Sequence, residues 1–109
     1  MATVEKYRQL VKELLEARVW TRPDVETQTI FDTERDHYQL VNVGWRKDSH
    51  RVYGTVIHID IKDGKIWIQW DGTEDPIADE LVERGVPQTD IVLGFQAPYK
   101  RQYTGFATG

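Results

Sequence analysis

From Thr3 onward, Val4, Tyr7, Val11 and Leu14 follow one another at steps of three, four and three, with Leu15 beside the last. That spacing lines one face of a helix. Thr3 can cap its start. The pattern predicts a helix to about Val19, where "TRPD" breaks it because proline disfavours a helical conformation at Arg22. The period then shortens. "VETQTIFDT" is rich in Thr, Val, Ile and Phe, "HYQLVNVGW" follows the polar turn "ERD", and "RVYGTVIHIDI" follows the polar loop "RKDSH".

Asp63-Gly64 suits a two-residue type I′ hairpin turn, because both residues tolerate a positive φ. With Lys62 opposite Lys65, the pairing predicts Ile61 against Ile66, Ile59 against Ile68 and Ile57 against Trp70. All six then share one apolar face. The other face carries His58, Asp60, Lys62, Trp67 and Gln69. The apolar face needs a covering layer, and the first helix is the natural one.

The stretch "KIWIQWDGTEDP" places two tryptophans beside three acids, a combination found in sugar clefts and metal sites as well as in ordinary turns. The pattern favours structure. "IWIQW" is the return strand, "DGTED" leaves the sheet, Asp75 is placed to cap a second helix, and Pro76 occupies its first position. Asp79 and Glu80 complement the helix dipole. Gly85 is the expected left-handed residue after the last turn, with Val86 as the apolar contact beyond it.

These elements make residues 1–109 one α+β domain. It is an antiparallel β-meander of about four strands, with the N-terminal helix packed on one face and a second helix, Pro76–Arg84, after the sheet. Asp90 to Phe95 admits either a last strand or a helical turn.

Composition narrows the function classes. No run of about 18 apolar residues exists, so no membrane-spanning helix is expected. The first twenty residues mix acids with bases and carry no long apolar block, unlike a signal or transit peptide. The absence of cysteine excludes disulfides and thiolate chemistry and fits a cytoplasmic protein. Net charge is -4, and Asp71 to Asp90 holds seven acids against one base, Arg84. A protein that grips DNA alone usually presents a basic face. Here Arg46, Lys47, Arg51, Lys100 and Arg101 are the cations available for such a role.

Catalytic patterns are weak. The three histidines, His37, His50 and His58, lack the local spacing of a zinc motif, so no metal or cofactor is expected. Ser49 beside His50 does not make a triad without a base aimed at the hydroxyl. Pro23-Asp24 and Asp60-Ile61-Lys62 match the loose PD…(D/E)xK pattern of Mg-dependent nucleases. One strand would point Asp60 and Lys62 the same way, but a second acid beside them is not identifiable. Near the end, Tyr99, Tyr103 and Phe106 interleave with Lys100 and Arg101. They suit either a clasp on the core or an aromatic-basic surface for a partner. The exposed acids of the second helix, Asp79, Glu80 and Glu83, suit a basic partner.

The blocks "FDTERDHYQLVNVGW", "RVYG", "HIDIKDGKIWIQWDGTED" and "IADELVERGVPQTDIVLGF…YTGFA" resemble the XisI family of cyanobacterial proteins, named as fdxN element excision controlling factors. The resemblance runs from near the first helix to the C-terminus. Many members read "GFHPPE" where this chain has Gln96-Ala97-Pro98-Tyr99, so no role of that histidine carries over. The resemblance implies a single XisI-like domain with no catalytic residues. Its implied role is that of a non-catalytic regulatory factor in programmed DNA rearrangement, as in heterocyst development. It further implies an XisH-like, nuclease-like partner and a separate site-specific recombinase that cuts and joins the element. A direct DNA-binding accessory role and a small Mg-dependent nuclease are the alternatives. Exposed sheet edges would also permit a homodimer.

Overall fold

The computed structural model describes residues 3–47 and 49–109. Helix α1 spans Thr3–Ala17 and buries Tyr7, Val11, Leu14 and Leu15, the stripe that the spacing predicts. It stops two residues short of Val19, where the Arg18 and Val19 amides donate to the Leu15 and Glu16 carbonyls in a tightened last turn.

Four antiparallel strands follow: β1 (Val25–Asp32), β2 (His37–Arg46), β3 (His50–Lys62) and β4 (Lys65–Asp71). Helix α2 (Ile77–Glu83) then carries the chain to β5 (Ile91–Leu93), which pairs parallel to β4 and completes a five-stranded mixed sheet in the order β1-β2-β3-β4-β5. A 3₁₀ turn, Gln88–Asp90, precedes β5, so the segment left open by the sequence contains both a helical turn and a strand. β5 escapes periodicity because three residues are too few to show a period, and its apolar run Ile91-Val92-Leu93 fits either conformation.

The β3–β4 hairpin forms as its turn residues require, with φ of 54° at Asp63 and 75° at Gly64. Lys62 faces Lys65, Ile61 faces Ile66 and Ile59 faces Ile68. The expected pairing of Ile57 with Trp70 fails. A bulge beyond Ile59 pairs His58 with Trp70 and Ile57 with Asp71. One inserted residue reverses the alternation, so Trp70 leaves the apolar face and is exposed.

The core lies between one face of the sheet and the two helices. Ile57, Ile59, Ile61, Ile66 and Ile68 meet the α1 stripe together with Ile77, Ala78 and Leu81 of α2. Tyr7 of α1 donates from its hydroxyl to Asp90 beside β5. Burial, with help from that carboxylate, pushes the phenol up to about 12.

α2 is capped, but not by Asp75. The Ile77 amide donates to Asp71 Oδ2 at 2.9 Å, and Pro76 stands at the cap position. Asp71 ends β4 and also receives the Thr73 amide and hydroxyl. The acid that leaves the sheet therefore reaches across the turn to the first helical amide. At the other end Gly85 has φ 97°, its amide donates to Val82 and the Val86 amide to Leu81, with Val86 buried, as the sequence predicts.

Candidate functional site on the open face of the sheet

Alternation along the strands fixes what the second face carries. Residues between the core positions form it: Ile30 on β1, His37, Val43 and Trp45 on β2, Arg51, Tyr53, His58 and Asp60 on β3, and Trp67 and Gln69 on β4, joined by Trp70 through the bulge. α1 and α2 both pack on the opposite face, so neither covers this one. Ile30, Trp45, Tyr53 and Trp70 are all substantially exposed, Tyr53 by 73%. The Arg51 guanidinium lies over the Trp45 and Tyr53 rings, at 5.1 and 5.9 Å from their centroids. Both rings lie within reach of the cation–π attraction of this one guanidinium, which links them on the surface.

Below this patch lies a polar group that the sequence does not announce. The register sets His37 opposite Asp60, and the two-residue step from His58 to Asp60 keeps all three on one face. Asp60 Oδ1 receives His37 Nδ1 at 2.7 Å and His58 Nε2 at 2.9 Å, while Gln69 Nε2 donates to Oδ2 at 3.1 Å. Burial pushes the Asp60 carboxyl up, but these hydrogen bonds from His37, Gln69 and His58 outweigh it and hold the carboxyl below its ordinary value. No chain spacing could reveal the group, because His37 and Asp60 are 23 positions apart. The one available signal was His58-Ile59-Asp60 on a strand with His37 in its neighbour.

The nuclease reading loses its geometry here. Asp32 pairs with His37 and His37 with Asp60, which sets the far end of β1 beside Asp60. Asp24 lies before the opposite end of β1, about 26 Å away at 3.3 Å per residue. The PD and DxK elements do not share a site. Lys62 is also turned aside, with Nζ 4.8 Å from the Trp67 ring centroid. Ser49 is likewise engaged elsewhere, its amide and hydroxyl both directed at the Lys47 carbonyl.

The residues proposed for partner contact fall into two groups. On α2, Asp79 and Glu83 are exposed, whereas Glu80 pairs with Arg18 at the end of α1. The C-terminal segment runs beside β5, where Ala107 bridges Val92, and its Pro98–Tyr103 3₁₀ helix sets Arg101 over Trp67, 5.3 Å from the ring centroid. Phe106 packs against the core, while Tyr99, Lys100 and Tyr103 are exposed, Tyr103 by 81%. The segment is thus clasp and surface at once. α2 belongs to the helical layer and Arg101 to the open face, so the two groups do not form one patch.

Of the cations available to DNA, Arg51 also donates to the Gly44 carbonyl, and Arg101 to the Gln96 and Gly94 carbonyls. Both are partly consumed by the fold. A cleft of about 710 Å³ opens near the end of α1, lined by Arg18, Trp20, Asn42, Thr73 and Glu80 among others. Arg18 there is tied to Thr73 and Glu80. Among the described residues, no helix is long and apolar enough to cross a membrane.

Comparison with known proteins agrees with the fold. The crystal structure of an XisI-like protein from Anabaena variabilis ATCC 29413 is 54% identical, covers 99% of this chain and 100% of its own, and matches with a TM-score of 0.90. That of the fdxN element excision controlling factor XisI from the same organism is 37% identical, with the same coverage and a TM-score of 0.85. No curated protein matches the chain. The XisI protein family matches residues 1–108, essentially the whole sequence, and with two such structural relatives the chain belongs to the XisI family.

Proposed function

We propose that the protein is a non-catalytic regulatory factor in the excision of a programmed DNA element, acting by binding an XisH-like, nuclease-like partner. The observation that carries this reading is the sheet face that α1 and α2 leave uncovered. Trp45 and Tyr53 stand exposed there beside Arg51, with Trp70 and Ile30 exposed farther along the same face; Trp, Tyr and Arg are the residue types that dominate interface energy. The relative named as an fdxN element excision controlling factor supports the process. Exposed Tyr99 and Tyr103 on the tail, and Asp79 and Glu83 on α2, are secondary contact candidates.

Co-expression with the XisH-like protein of the same genome, followed by size-exclusion chromatography with light scattering, tests the reading. A stable complex is expected, weakened by Tyr53→Ala together with Trp45→Ala. Two separate peaks would overturn it. Salt-sensitive DNA binding by the isolated chain would then favour the accessory DNA-binding alternative.

A further inference from the structure

We propose that His37, His58 and Asp60 form a binding site for a divalent transition-metal ion of the zinc type on the open face of the sheet. One donor atom from each residue lies within 4.8 Å of the other two. Two imidazole nitrogens and a carboxylate oxygen are donors that zinc takes, and three protein ligands with a fourth position left to water make an open zinc site. The approach is accessible. The His37 side chain is about half exposed and that of His58 about one third, while Asp60 sits deeper between them.

Binding requires the two rings to turn. A tetrahedral ion with bonds of about 2.0–2.1 Å holds its donors about 3.3 Å apart. Asp60 Oδ1 now stands 2.7 and 2.9 Å from the ring nitrogens and the three donors span up to 4.8 Å, so an ion draws each ring back from the oxygen by about 0.5 Å and brings the two nitrogens toward each other. Each neutral imidazole can offer a lone pair at that nitrogen by carrying its proton on the other. The rings are edge to face, 6.4 Å between centroids with planes at 81°, and both direct a nitrogen at the same oxygen.

The surroundings favour a cation. Gln69 holds Asp60 Oδ2 and leaves Oδ1 facing the rings, the outer-shell support that metal-ligating carboxylates commonly have. The Lys62 ammonium and the Arg101 guanidinium lie over the ring of Trp67, the residue opposite Asp60, rather than on the carboxylate itself. Asp32, next in the same cross-strand row, keeps its carboxylate on the Glu34 and Arg35 amides and so does not compete for the position. The site does not depend on the partner reading, since its ligands all come from this chain.

Isothermal titration of the chelator-treated full chain with zinc chloride tests the proposal. One ion per chain is expected, and His58→Gln and Asp60→Asn should each weaken binding by at least about tenfold. His50→Gln, outside the cluster, should leave it unchanged. Cobalt(II) in place of zinc should give visible absorption bands of a four-coordinate ion, lost in the same variants. His37→Gln, at a half-exposed position, serves if Asp60→Asn alters the far-ultraviolet circular dichroism of the fold. Absence of binding, or zinc binding that survives His37→Gln and His58→Gln, would overturn the site.

Discussion

The two faces of this sheet are built from alternate residues of the same strands, yet they differ both in polarity and in what covers them. One face sets Ile57, Ile59, Ile61, Ile66 and Ile68 beneath two helices, where they are almost wholly buried. The other sets Trp45, Tyr53, Trp70 and Ile30 outside the cover of α1 and α2, with the His37–Asp60–His58 group among them. Burial makes the first face the source of stability. Exposure of large side chains on the second is what supports the partner surface proposed above. The β4 bulge assigns Trp70 to the second group, so one backbone irregularity moves a residue from core to surface.

The sharpest way to separate the faces is to truncate each. Ile59→Ala should cost about 2–5 kcal/mol in denaturant unfolding, because it leaves a cavity under α1. Tyr53→Ala should change stability by less than about 0.5 kcal/mol. If Tyr53→Ala destabilises as much as Ile59→Ala, the open face is part of the core and the contrast fails.

Gly44→Ala probes how closely the covered side is packed where β1 begins. A Cβ there would stand 2.1 Å from the Asp24 carbonyl oxygen, a clash with backbone that no rotamer relieves. A loss of about 1–3 kcal/mol is expected in the same unfolding measurement. Asp71→Ala should cost about 1 kcal/mol through the lost α2 cap, whereas Asp75→Ala should stay within about 0.5 kcal/mol. Equal effects would return the capping role to Asp75.

The smallest expected effect depends on pH. Arg8 on α1 holds Asp36 between β1 and β2 at 2.7 and 3.0 Å, and this pairing, against some burial, keeps the Asp36 carboxyl below its ordinary value of 3.8. Because Asp36 holds its proton less tightly when folded, its contribution is whole well above 3.8 and is lost as pH falls from there through the folded value. Arg8→Met should therefore flatten the acid limb of stability against pH. An unchanged limb would remove Asp36 from that account.

Much of this architecture is legible from periodicity and turn chemistry. The α1 stripe at Tyr7, Val11, Leu14 and Leu15, the Asp63-Gly64 turn and the Gly85-Val86 helix end follow from local rules, since each depends on residues within a few positions of one another. The blocks that resemble the XisI family likewise lie open in the chain, and the family match spans nearly all of it. The candidate site was only half legible: the exposed tail tyrosines and α2 acids stood out as charge and aromatic patterns, but Trp45, Tyr53 and Trp70 did not.

What tertiary structure decided are relations between distant segments. The bulge that exposes Trp70 depends on how β4 lies against β3, and Asp71 caps α2 because the turn folds back on it. β5 is a strand because β4 offers it an unpaired edge. His37 meets His58 and Asp60 because β2 and β3 settle into one register out of several that alternation alone allows. Local sequence fixes a residue's preference for helix, strand or turn. Which side chains come to share a surface is set by the pairing of strands, through hydrogen bonds that every backbone offers alike.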